Sequence, residues 1–116
     1  MKISLKSTNM ELLDSIKGYL DKKIIAVAER FFKAEEPVNL DIEVGKATKH
    51  HNKGKVFRAE VNLLVGKKML RAESYGEDLY EAIDLLEAEL ENEIKKFKAR
   101  IKTLIIKGAR SVKEKK

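Results

Sequence analysis

The sequence contains no cysteine and no tryptophan, and only one proline and two histidines among its 116 residues. Without cysteine, disulfides, thiolate metal sites and cysteine nucleophiles are excluded. The longest apolar runs span only a few residues, so no membrane-spanning helix is predicted. The N-terminal stretch MKISLKSTNM lacks the apolar segment of a secretory signal. We therefore expect a cytoplasmic protein with no membrane partner.

Charge is what the sequence has in abundance. Charged residues make up 38% of the chain and hydrophobic residues 43%, which is typical of a globular protein, and the length favours one domain. The net charge of +6 is unevenly distributed: residues 1–45 carry −1, residues 46–71 carry +7, residues 72–94 carry −9 and residues 95–116 carry +9. A polyanion would respond to the two basic blocks more strongly than to the total.

Hydrophobic periodicity predicts a strand, a helix, three strands and a second helix. The first helix starts near Leu13, and we expect Glu35-Glu36-Pro37 to end it because the residue before proline avoids helical angles. Gly66-Lys67 is typical of a tight hairpin turn. Alternating apolar residues predict strands at residues 3–5, 38–44, 57–65 and 70–74.

The second helix is predicted to be long. Ser74 and Glu77 have the spacing of a capping box, and Gly108 could cap the far end. Residues 104–106 would then either cover the open end of the core or form a contact patch for another chain. The apolar residues that recur every three or four positions are Leu79, Ile83, Leu86, Leu90, Ile94, Phe97 and Ile101.

These elements predict an α+β fold of order βαβββα, with a four-stranded mixed sheet and two helices packed on one face. A right-handed first crossover makes the first two strands parallel. The opposite face of the sheet would be partly open to solvent. Its expected residues are Glu43, Arg58, Glu60, Asn62 and Arg71.

Catalytic and metal-binding patterns are missing. His50-His51 has no third ligand nearby, and Asp84, Glu87 and Glu91 share a helix face without the Glu-x-x-His pattern of carboxylate-bridged metal helices. That face is therefore predicted to be solvated. No phosphate-binding glycine loop and no nucleophile–base pair occur. We expect no enzyme activity, no cofactor, no metal and no small-molecule substrate.

One stretch is recognisable. Residues 74–100, SYGEDLYEAIDLLEAELENEIKKFKAR, resemble the final helix of the ribosome hibernation promoting factor family, which includes the ribosome-associated inhibitor called protein Y. The segment at residues 78–84 matches the D-[LM]-Y-x-A-I-D motif, and Lys96 with Lys98 matches N-K-x-K. Asn9-Met10-Glu11-Leu12 resembles the family's N-terminal N-[VM]-E-[IL]. The resemblance covers residues 1–102 and is to the short form of the family, and residues 103–116 are expected to be a helix extension and basic tail.

The resemblance implies a fold like that of double-stranded-RNA-binding domains and a partner, the small ribosomal subunit with its ribosomal RNA. Members of the family occupy the channel for messenger RNA and transfer RNA and block initiation during stress or starvation. They do so by steric exclusion. The second domain of longer members is not expected in this chain. Two alternatives stay open: a protein-interaction module with a weak homodimer contact through Leu104, Ile105 and Ile106, and a general RNA-binding chaperone.

The RNA-contacting residues are expected to be basic. Glu89 and Asn92 stand where the family often has basic residues, so contact is expected to shift toward the helix end. The first predicted group, which we name the helix-end cluster, is Lys95, Lys96, Lys98, Arg100 and Lys102. The second group is Lys46, Lys49, His50, Lys53 and Lys55, together with Arg58 and Arg71.

Overall fold

The structure of the protein is a computed structural model that describes residues 1–47 and 56–114, with side chains as far as residue 104. The order βαβββα is confirmed, and the first helix contains a π-helical turn (Asp21–Ile25) between two α-helical parts. The elements are β1 (Lys2–Thr8), α1 (Asp14–Leu20), α2 (Ala26–Phe31), β2 (Val38–Lys46), β3 (Phe57–Val65), β4 (Lys68–Gly76) and α3 (Leu79–Glu114).

The sheet has the order β1-β2-β3-β4. β1 is parallel to β2, as the crossover predicts, and the other neighbours are antiparallel. The β3–β4 hairpin turns at Gly66, whose φ of 61° lies in the left-handed region that glycine adopts without strain. Val65 pairs with Lys68 across this two-residue turn, so the prediction at Gly66-Lys67 is confirmed.

The apolar stripe of α3 covers the sheet over only half of the helix. From Leu79 to Ile94 its members are at most 4% exposed, whereas Ile101 is 40% exposed and Leu104 is 61% exposed. The nine residues of β4 span about 30 Å, and the 36 residues of α3 span about 54 Å. The helix therefore overhangs the sheet, and Leu104 does not cover the core. No helix in the described ranges is both long and apolar enough to cross a membrane.

The helix ends differ from the sequence prediction in two places. The first helix ends at Phe31, several residues before Glu35-Glu36-Pro37, because Phe32 adopts an extended conformation and buries its ring at the edge of the core. Glu36 then accepts a hydrogen bond from the backbone N–H of Lys33. At the other end of the molecule, α3 continues past Gly108 to Glu114, so the proposed cap at Gly108 is wrong.

The capping box predicted at Ser74 and Glu77 is also wrong. Ser74 lies inside β4 and is buried. The helix is instead capped by Asp78, whose Oδ1 accepts the backbone N–H of Glu81 at 2.8 Å. The Glu81 side chain accepts the backbone N–H of Glu77, the residue before the cap, at 3.0 Å. The cap lies four residues further along the chain than predicted, and the return bond of the glutamate goes to the residue before the cap and not to the cap itself.

Candidate nucleic-acid interface

The helix-end cluster lies where α3 leaves the sheet. At 100° per residue, its five cations fall on two flanks of the apolar stripe. Lys95, Lys98 and Lys102 lie on the flank that faces α2. Lys96 and Arg100 lie on the flank that faces the β3–β4 hairpin. All five side chains are exposed, so the overhang presents positive charge on both sides.

The five cations differ in how far neighbouring carboxylates neutralise them. Lys95 Nζ lies 3.0 Å from Glu91, and Lys96 Nζ lies 3.5 Å from Glu93. Within the described part of the chain, Lys98, Arg100 and Lys102 form no ion pair. These three positive charges are therefore the most available to an anion.

Two openings in the surface adjoin the cluster. A groove of about 610 Å³ lies beside Lys98 and Lys102 and has an apolar floor that includes Phe32, Phe97 and Ile101. The Nζ of Lys98 lies 4.7 Å from the centre of the Phe32 ring. On the other flank, a cleft of about 130 Å³ adjoins the β3–β4 hairpin.

That cleft identifies a residue that the sequence interpretation missed. Lys68, in the first position of β4, lines it together with Lys96 and Arg100. One basic side chain from β4 and two from α3 therefore line one cleft at the helix end, together with Glu93. Lys68 could have been found by comparing lengths. The part of α3 that runs back along β4 is about as long as β4, so the helix-end cluster reaches the start of that strand, where Lys68 lies.

The acidic face of α3 is partly solvated, as predicted, because the side chains of Asp84, Glu87 and Glu91 remain 50%, 34% and 31% exposed. It also pairs with the first helix, which the sequence did not predict. Arg30 of α2 binds Glu91 at 2.5 Å, and Lys23 lies 3.7 Å from Asp84 and 3.8 Å from Glu87. These ion pairs join the first helix to α3. Three carboxylates of the acidic block therefore help to dock one helix against the other.

Hydrogen bonding at the same helix–helix contact shifts two pKa values. The Tyr19 hydroxyl donates to Asp84 at 2.5 Å, and this bond, with partial desolvation and the charges of Asp84 and Glu87, raises the pKa of Tyr19 to about 12. Its ring meets the exposed Tyr80 ring edge-on at 4.8 Å. Hydrogen bonds from Lys95 and then Arg30 lower the pKa of Glu91 below its ordinary value.

Arg58 and Arg71 lie on the open face of the sheet, away from the helix-end cluster. Glu60 bridges them, at 3.0 Å from Arg58 and 2.5 Å from Arg71, and Glu73 lies 2.6 Å from Arg58. Burial disfavours the charge of Arg58, but its bonds to Glu73 and Glu60 outweigh this and raise its pKa. Two arginines and two glutamates balance, so this network adds little net attraction for a polyanion.

Of the remaining predicted residues, the structure describes Lys46, which lies at the opposite end of the domain. Lys46 ends β2, pairs with Phe57 and lies in the same row of the sheet as Gly76, close to where α3 begins. It is about 30 Å from the helix-end cluster, by the length of the strands. Lys49, His50, Lys53 and Lys55 lie outside the described residues. Ala47 and Val56, which flank that segment, are joined by a backbone hydrogen bond of 2.7 Å.

The fold and the exposed basic helix end define a small α+β domain with a surface suited to a polyanion. Residues 3–102 match the family model described as "Sigma 54 modulation protein / S30EA ribosomal protein", and the chain belongs to this family. The expected family resemblance is thereby confirmed.

Curated relatives give the same family context. A ribosome hibernation promotion factor from Lactococcus lactis subsp. cremoris is 32% identical over 104 residues, covering 87% of this chain and 51% of the relative. Another, from Bacillus subtilis, is 32% identical over 101 residues, covering 87% and 50%. The chain therefore spans about half the length of the curated relatives it matches.

Solved structures support the fold. The N-terminal domain of Thermus thermophilus protein Y superposes with a TM-score of 0.66 and 28% identity, covering 84% of this chain and 99% of that one. A ribosomal subunit interface protein from Coxiella burnetii gives a TM-score of 0.65 at 22% identity, covering 85% and 99%. The second likeness is one of fold alone.

Proposed function

We propose that this protein is a ribosome-associated hibernation factor that binds the small ribosomal subunit and inhibits translation. The observation that supports this most strongly is the family match over residues 3–102, which includes the helix-end cluster and the sheet that anchors its helix. Relatives named ribosome hibernation promotion factors align over most of the chain. The basic overhang supplies a physical reason for an RNA partner.

The proposed mechanism is binding followed by steric exclusion. Ribosomal RNA presents closely spaced phosphates, and lysine or arginine side chains that neutralise them release condensed counterions. A helix anchored by a packed core holds those side chains at fixed spacing, so little ordering entropy is lost on binding. In this proposal the bound domain occupies the channel for messenger RNA and transfer RNA, and initiation is blocked without any covalent step.

The helix-end cluster is the proposed primary contact. Lys98, Arg100 and Lys102 lack carboxylate partners within the described residues, and Lys68 adds a fourth available cation beside Arg100. The end of the domain at Lys46 is the proposed second contact, about 30 Å away. Contacts at both ends would fix the orientation of the domain on the RNA. We propose a lesser role for Arg58 and Arg71 because glutamates already pair with them.

The test is co-sedimentation with purified small subunits at increasing salt. Binding should be competed by initiator transfer RNA. The variant Lys96→Ala, Lys98→Ala, Arg100→Ala should bind more weakly and flatten the dependence of log affinity on log salt by about 0.7–0.9 per lost phosphate contact. A matched control removes three exposed lysines elsewhere: Lys6→Ala, Lys17→Ala, Lys22→Ala.

Three results would count against the proposal in different ways. Protein that stays in the supernatant at low salt would exclude ribosome binding. Equal affinity for arbitrary duplex RNA would instead indicate a general RNA-binding protein. An unchanged affinity of the helix-end variant, with a weakened control, would mean that another face contacts the RNA.

A further inference from the structure

One side of α3 has an unusual charge pattern that extends beyond the residues assigned to RNA in the proposed function. We name it the lateral stripe; it lies about a quarter turn from the core-facing side of the helix, above β4. β4 is an edge strand, and α2 packs on the opposite side of α3, so no described element covers the stripe. Its residues follow a spacing of three or four and are Leu85, Glu89, Glu93, Lys96, Arg100 and Leu104.

The lateral stripe is complementary to itself in reverse. Its midpoint falls between Ile94 and Lys95. At equal distances from that point, Glu93 mirrors Lys96 and Glu89 mirrors Arg100. At the two ends an exposed leucine mirrors an exposed leucine, 46% exposed at Leu85 and 61% at Leu104. A twofold axis through the midpoint would therefore place each charge beside its opposite in a second copy.

We propose that the free protein forms a twofold-symmetric dimer in which the lateral stripes of two α3 helices pack antiparallel. The charged contact spans residues 89–100, about 16 Å of helix, and its outer members, Glu89 and Arg100, lie within about 20° of one another around the helix axis. Each copy contributes one half of every pair, so the interface is closed and isologous. Glu89 and Arg100 form no ion pair within the described residues, and each finds its complement only in the second copy.

A second copy fits the lateral stripe better than a nucleic acid does. RNA would be attracted to Lys96 and Arg100 but repelled by Glu89 and Glu93, which occupy the other half of the stripe. A purely acidic or purely basic protein partner would meet the same conflict. Glu93 and Lys96 already lie 3.5 Å apart within one copy. A surface with the opposite polarity along its length offers Glu89 and Arg100 the partners that they lack and keeps the other two charges beside opposite charges, and the same helix reversed has that polarity.

The dimer is expected to be weak and sensitive to salt. Exposed ion pairs contribute little individually and are screened as ionic strength rises. The interface also covers Lys96 and Arg100. If these residues contact RNA, as the proposed function assigns, dimerisation and ribosome binding exclude one another. This step rests on the proposed function. The dimer is then a form of the unbound protein.

Sedimentation equilibrium and native mass spectrometry of the full chain test the proposal without any RNA. Glu89→Arg and Arg100→Glu each place like charges opposite one another, so each should raise the dimer dissociation constant about tenfold or more. An equimolar mixture of the two variants should form heterodimers. In a homodimer of either variant, position 89 of one copy and position 100 of the other carry like charges at both symmetry-related contacts. In the heterodimer these two positions carry opposite charges at both contacts. Lys102→Glu, on the other flank, should leave dimerisation unchanged, and circular dichroism verifies that each variant is folded.

Three outcomes would overturn the proposal. The first is a wild-type protein that remains monomeric at low salt up to millimolar concentration. The second is a mixture of the two charge variants that associates no better than either alone. The third is a dimer that Glu89→Arg does not weaken. Because the measurements use the protein alone, none of these results bears on ribosome binding.

Discussion

The adjacent leucines of α3 give a direct test of how the helix packs on the sheet. Leu86 is 0% exposed and Leu85 is 46% exposed, although they share a helix, a chemistry and neighbours in sequence. Leu86→Ala leaves a cavity above the sheet and should lower the free energy of unfolding by about 2–5 kcal/mol. Leu85→Ala removes a side chain already half in water and should cost about 1 kcal/mol or less.

The assay is equilibrium urea denaturation of both variants, at a salt concentration high enough to keep the protein monomeric. The slope with urea should be unchanged, because the surface exposed on unfolding is nearly the same, and only the midpoint should move. For a domain of this size, each kcal/mol lowers Tm by roughly 4 °C. Equal losses in the two variants would refute the packing of α3, since the difference rests entirely on which leucine faces the sheet.

Three further predictions concern pH and backbone geometry. Because the pKa of Tyr19 is raised to about 12, its contribution to stability should be complete below pH 10 and lost between pH 10 and about 12. In Asp84→Asn, the pKa of Tyr19 measured by absorbance should return toward 10. An unchanged titration would contradict the hydrogen bond. Gly45→Ala should destabilise strongly because its Cβ would overlap a carbonyl oxygen of β1, whereas Gly18→Ala, which meets open space, should stabilise by up to about 1 kcal/mol in urea denaturation. Asp78→Ala should cost about 1 kcal/mol by the same assay through the lost helix cap, and no loss would place the cap elsewhere.

The fold was predictable from the sequence because strands and helices impose different periods on apolar residues. The position of the cap was not. Ser74 with Glu77 and Asp78 with Glu81 have the same spacing, and the sequence alone does not distinguish them. Pairing of Ser74 with Ala59 across the sheet keeps Ser74 in β4, and this tertiary contact assigns the cap to Asp78.

The charges of the candidate site were predictable, but their partners were not. The alternation of apolar and polar residues predicts that Arg58 and Arg71 lie on the open face of the sheet, but it does not predict that Glu60 and Glu73 bind them there. Those contacts depend on the register of β3 against β4. Lys68 was missed for a related reason, because its approach to Arg100 requires the length of β4 to match the returning part of α3.

The early end of α2 accounts for where the positive surface begins. The first helix runs parallel to α3, and its bases pair with Asp84, Glu87 and Glu91, of which the last is bound by Arg30. One residue after Arg30 the helix stops, because Phe32 becomes extended and inserts into the core. A longer α2 would cover the flank on which Lys98 and Lys102 lie. The buried ring of Phe32 therefore stabilises the core and also leaves the basic half of α3 accessible to a polyanion.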